Sequence, residues 1–99
     1  MIQERNNLMC DELGFAKNPV AQMLGLTAEI GELSDYIMKK EGLKKVKSTD
    51  NLDNLLEKIE LECADILVFL SQIATYYNID LDKAHEKKTF ILKQRSFKN

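Results

Sequence analysis

A few punctuating residues parcel this chain into helices and leave little room for anything else. Asn18-Pro19 is a helix start: asparagine can accept from the first free N–H groups, and proline at the first helical position loses no needed donor. Gly14 before it and Gly42 beyond it are stops, and Asn78 with Asp80 makes a further stop and a further cap. No run alternates β-branched with polar residues as a half-buried strand does. The spacing predicts four helices, over residues 3–13, 19–40, about 51–77 and about 81–95. The polar connector "EGLKKVKSTDN" separates the second from the third, with Asp50 or Thr49 as the third helix's cap and Asp80 as the fourth's.

Ninety-nine residues make a single domain, 1–99. Hydrophobic content of 44% with 30% charged residues is that of an ordinary globular chain. A net charge of −2 gives no general pull toward nucleic acid or an acidic membrane. The longest apolar run, residues 66–70, is far too short to span a bilayer, and "MIQERNNLMCDEL" puts charges where a signal peptide needs its apolar stretch. Cys10 and Cys63 match no zinc spacing and read as free, buried or half-buried thiols. The expectation is a cytoplasmic protein with no membrane or nucleic-acid partner. The two central helices would be about 33 and 40 Å long, against a radius of gyration of about 13 Å for a compact domain of this size. That mismatch predicts a homo-oligomer, unless the lysine-rich connector breaks the third helix into shorter pieces.

The chemistry sits on the two long helices. In the second, Met23, Leu26, Ile30, Leu33 and Ile37 form one apolar stripe with Glu29 at its border and Glu32 on the same flank. In the third, Leu52, Leu55, Ile59, Ile66, Leu70 and Ile73 form the stripe, with Phe69 beside them; Glu62 falls inside it and Asp65 at its edge. Acid pairs three apart are common on exposed helix faces, and a buried acid can pair with one lysine. Four carboxylates facing one another between packed helices are another matter: they repel and raise one another's pKa values unless a cation neutralises them. Mg²⁺ prefers oxygen ligands, keeps some waters and is completed by substrate phosphates. His85, the only histidine, stands three after Asp82, but a di-iron bundle wants two Glu-x-x-His motifs and this chain has none. His85 reads as a surface residue, and nothing places either cysteine near it.

"LGLTAEIGELSD" followed by "ELECADILVFLSQIATYYNIDLDKA" resembles the MazG-like all-α nucleoside triphosphate pyrophosphatases over about residues 18–95. The family signature, Glu-x-x-Glu then Glu-x-x-Asp, is similar to Glu29, Glu32, Glu62 and Asp65. The resemblance implies a four-helix bundle with two long central helices, assembled as a homodimer or homotetramer. It also implies Mg²⁺ held by those four acids, and hydrolysis of an NTP or dNTP to the monophosphate and pyrophosphate. Glu29 or Glu32 would orient the attacking water. Two departures stand out: the 29-residue spacer between Glu32 and Glu62 is long, and the last helix has Lys88 and Arg95 at the phosphate-facing positions but Leu92 where an Asn is usual.

Around that core, residues 80–99 carry six Lys/Arg against three Asp/Glu, positive charge suited to phosphates or to a solvated face. Lys39, Lys40, Lys44, Lys45 and Lys47 read as a solvated loop cluster. Asn18 and Gln22 are polar candidates for base contacts on the acidic flank, the plainer reading being a cap and a decoration of the helix. The leading expectation is a house-cleaning nucleotide pyrophosphohydrolase. A phosphoribosyl-ATP pyrophosphohydrolase-like enzyme and a non-catalytic helical interaction module are the alternatives.

Overall fold

The computed structural model describes residues 2–46 and 54–98, and among them every regular element is helical. They are α1 (Ile2–Leu13), α2 (Pro19–Lys40), α3 (Leu55–Tyr76) and α4 (Leu81–Lys98). The expected cap at Asp50 or Thr49, and the stripe residue Leu52, lie outside the described residues. Asn54 precedes α3 without a side-chain cap.

The punctuation works as its chemistry requires. Asn18 Oδ1 accepts from Val20 N at 2.9 Å and Ala21 N at 3.2 Å, and Asp80 Oδ1 accepts from Asp82 N and Lys83 N at the other start. The first three helices end alike. Gly14, Gly42 and Asn78 take the left-handed conformation. The next residue's N–H reaches back to a carbonyl five earlier: Phe15 to Cys10, Leu43 to Met38, Ile79 to Ala74. This Schellman closure satisfies carbonyls that a helix end leaves bare. Asn is among the few side chains that accept that conformation at low cost, so Asn78 stops α3 as the glycines stop α1 and α2.

α3 is the central helix. Lys58 lies over the Tyr36 ring, Phe69 meets Gly25, and Val20 shares a hollow with Ile73 and Tyr77, so α2 runs antiparallel to α3. α1 lies antiparallel on another side, joined to α3 by a set of amide hydrogen bonds. Gln3 bonds Thr75 and the Ile79 carbonyl, Asn6 bonds Ser71, and Asn7 bonds Thr75 in both directions. α4 is tied at its start, where Leu81 N donates to Gln3 Oε1 at 2.8 Å, and it has no extensive packing against any other helix. The chain is accordingly broad and thin, 47 × 45 × 23 Å with a radius of gyration of 16.9 Å, against about 13 Å for a compact chain of this length.

The stripes read from the sequence are only half covered. Leu26, Leu55, Ala74 and Cys10 are the buried apolar residues among those described, whereas Met23, Ile30 and Ile37 of the α2 stripe and Leu70 of α3 are exposed. Cys63 is exposed too, on the outer face of α3 rather than in the core. α2 and α3 approach closely at Gly25, where an added Cβ would stand 2.6 Å from Phe69 Cε1. Gly25→Ala is therefore expected to destabilise the fold by about 1–3 kcal/mol, as overpacking does. Urea unfolding of the two proteins measures it, and an unchanged or raised midpoint would contradict the close approach.

Candidate metal centre

The antiparallel pairing of α2 and α3 brings three of the four acids together. Glu29 and Glu32, three apart on α2, share a face because a helix turns 100° per residue; Glu62 comes to meet them from α3. Each offers a carboxylate oxygen within 4.8 Å of the others, the one such convergence of acids, histidines or cysteines among the described residues. Glu29 Oε2 and Glu62 Oε2 are buried and without a hydrogen-bond partner. Ionised carboxylates only accept, so three of them cannot satisfy one another. They need a shared proton or a cation.

The electrostatics say the same. Glu62 is pushed up to about 8, first by the carboxyl–carboxyl hydrogen bond with Glu29, then by burial, then by its bond with Glu32 and the charges of both neighbours. Hard oxygen donors converging on one point, two of them buried and unanswered, fit a divalent cation such as Mg²⁺. Asp65, the fourth acid of the sequence motif, lies outside the convergence. It is exposed and borders, with Glu29, a hollow of about 560 Å³ walled by Phe69, Val68 and Met9.

The other candidates fall apart from the acids. Lys88 and Arg95 are exposed on α4, which has no extensive packing against either acid-bearing helix, and they are not among the residues gathered at the carboxylates. Leu92, between them, is exposed as well. Asn18 is engaged as the α2 cap. Gln22 is buried, donates from Nε2 to the Ala16 carbonyl at 3.1 Å, and leaves Oε1 without a partner. His85 is exposed beside Asp82 at an open cleft between α1, α3 and α4. Lys39 and Lys44, read from the sequence as loop solvation, both bind Asp35, and the Lys44 contact, followed by the Lys39 contact, holds that carboxyl below its ordinary value.

Sequence reasoning passed over Gln72 and Phe15, which with Gln22 border both the 560 Å³ hollow and a second one of about 330 Å³ behind α1. Periodicity along α3 could have flagged Gln72 as a polar residue near an apolar stripe. Phe15 had no such signal, because its place depends on how the α1–α2 turn folds back.

Compared with models of known protein families, the chain matches none, and no solved structure matches it. It is similar to the Bacillus subtilis (strain 168) protein named "Uncharacterized protein YpjD", at 33% identity over 70 residues, which is 71% of this chain. The chain spans 60% of the length of that relative.

The carboxylate cluster makes stability depend on pH in a defined direction. Glu62 holds its proton in the folded state up to about pH 8 and in the unfolded state only up to about 4.5. Its contribution is thus fully present below pH 4.5 and is lost as pH rises through 8. In metal-free buffer, Glu62→Gln is expected to melt higher than the parent chain at pH 8, with the gap closing below pH 5. Equal melting temperatures across that range would mean the carboxyls do not share a proton.

Proposed function

We propose that this chain is a Mg²⁺-dependent nucleoside triphosphate pyrophosphohydrolase of the MazG-like kind, releasing a monophosphate and pyrophosphate in nucleotide house-cleaning. The observation that carries this reading is the convergence of Glu29, Glu32 and Glu62 with two buried oxygens unanswered. The Glu-x-x-Glu and Glu-x-x-Asp motifs in their helical context agree with it. So does the adjoining hollow, which is largely apolar away from Glu29 and Asp65.

In this reading Glu29, Glu32 and Glu62 would hold Mg²⁺, with Asp65 the further carboxylate at the rim of the hollow. The bound cation would neutralise the triphosphate and stabilise charge developing on it. Glu32 or Glu29 would orient a water and take its proton, and Glu32, the exposed member of the trio, is the more open to solvent. That water attacks the α-phosphorus, and the bond from that phosphorus to the α,β-bridging oxygen breaks. Pyrophosphate leaves with the bridging oxygen, and the water's oxygen remains on the monophosphate. A site of carboxylates alone repels a triphosphate, so the cation is required for binding as well as for chemistry.

The same reading makes the working form a homo-oligomer. The chain's accessible surface is 7893 Å², where a compact monomer of its mass has about 5,800 Å². The difference is in the range that a lasting subunit interface covers on one partner. Exposed Met23, Ile30, Ile37, Leu70, Phe90 and Leu92 supply an apolar surface for it. Association is also the route by which the exposed Lys88 and Arg95 can face the phosphates, from α4 of a second copy packed against α2 and α3. A four-helix bundle then forms between chains rather than within one.

Two measurements test this. Pyrophosphate release from the eight common NTPs and dNTPs should require Mg²⁺ and stop with EDTA. Glu62→Gln should lower it on the order of a hundredfold or more while the protein stays folded. Release by none of the eight would favour the non-catalytic interaction module instead. Light scattering on the eluting protein should give the mass of a dimer or tetramer at micromolar concentration, and a stable monomer of 11.4 kDa would sink the assembly.

A further inference from the structure

The 560 Å³ hollow beside the acids is bordered by Glu29 and Asp65, by Phe69, and by Gln22, where it adjoins the hollow behind α1. Gln22 is 6% exposed. Its Nε2 donates to the Ala16 carbonyl, and this fixes which end of the amide is oxygen, since only a donor can answer a carbonyl. Oε1 is left buried and unpartnered, the kind of exception that calls for a reason in a folded protein. No neighbour supplies the missing donor. Asn7 is engaged with Thr75, and the Gln72 side chain is hydrogen-bonded to the Cys10 thiol. Gln22 and Glu29 are seven residues apart on one helix, about 10 Å along its axis, the scale of a nucleoside from its base edge to its 5′ phosphate. Between them the Phe69 ring is pinned against Gly25.

We infer that this hollow holds the base of the nucleotide whose phosphates lie at the acids, and that Gln22 Oε1 selects bases bearing an exocyclic amino group over those bearing a keto oxygen there. The placement of the phosphates rests on the pyrophosphohydrolase reading above. An amino group donates to Oε1 and completes it. A keto oxygen meets it as a second acceptor with no proton between them, and the amide cannot turn over to help because Ala16 holds its N–H. Phe69 offers a stacking surface, which accepts any base, so discrimination falls to Gln22. Gln72 and Phe15 border Gln22 in both hollows, so an amine reaches the buried Oε1 only if one of those side chains turns.

The test uses nucleoside monophosphates paired by amine-for-keto exchange, AMP against IMP and CMP against UMP. Each is titrated with Mg²⁺ into the ¹⁵N-labelled full chain and followed by NMR, the Gln22 side-chain amide included. The amine member of each pair should bind roughly tenfold tighter, the worth of one net hydrogen bond, and shift the Gln22 signals. Gln22→Met should erase the difference within each pair while the backbone spectrum stays dispersed. Equal binding within the pairs, a keto preference, a preference that survives Gln22→Met, or no binding by any of the four overturns the inference. If Gln22→Met does not fold, the pairwise comparison and the Gln22 signals in the parent chain decide it alone. No part of this depends on hydrolysis. An amine preference in a chain that cleaves no triphosphate keeps the base site and removes the enzyme reading; pyrophosphate release without the preference does the reverse.

Discussion

The contact between Phe69 and Gly25 sets the spacing of α2 and α3, and the acids depend on it. One helix turn beyond Gly25 stands Glu29, and two turns before Phe69 stands Glu62. With the two backbones held close, their carboxylates must share a small volume. A side chain at position 25 would press on the Phe69 ring, and where the helices part to make room, water reaches the acids and screens their mutual repulsion. Packing and electrostatics are one problem in this fold: the apolar contact supplies the energy that holds like charges together.

The core around the cluster is modest. A chain that buries, among its described residues, only Cys10, Leu26, Leu55 and Ala74 of the apolar ones has little stability to spare. Such a fold gains from every partner that binds its native form, whether cation, substrate or second copy. On this account stability and ligand occupancy are coupled.

Much of the helix pattern was legible because its punctuation is local. Asn18, Pro19, Gly14, Gly42, Asn78 and Asp80 each act within a few residues, so their roles could be read without knowing the tertiary structure. The convergence of Glu29, Glu32 and Glu62 was legible for a different reason: a charge inside an apolar stripe conflicts with its surroundings, and a partner resolves the conflict. What depends on three-dimensional placement was not legible. Asp65 is one turn from Glu62 yet outside the convergence: the wheel put it at the stripe's edge, but whether a carboxylate reaches across from there depends on the helix spacing, which no wheel contains. Lys88 and Arg95 lie seven apart on α4, and where they point is decided by the direction in which α4 leaves Asn78. The stripes on α2 and α3 marked which residues prefer burial, not whether the same chain would cover them.

The amides joining α1 to α3 have a consequence of their own. An apolar seam tolerates sliding by a turn, since one leucine fits about as well as the next. A ladder of Gln3, Asn6 and Asn7 against Ser71 and Thr75 does not, because a slip leaves several donors and acceptors unmatched at once. Polar residues at helix interfaces fix alignment in this way at some cost in strength. Here the ladder works as a vernier. It indexes α1 along α3, and so sets where Met9 and Leu13 stand as walls of the hollow beside the acids.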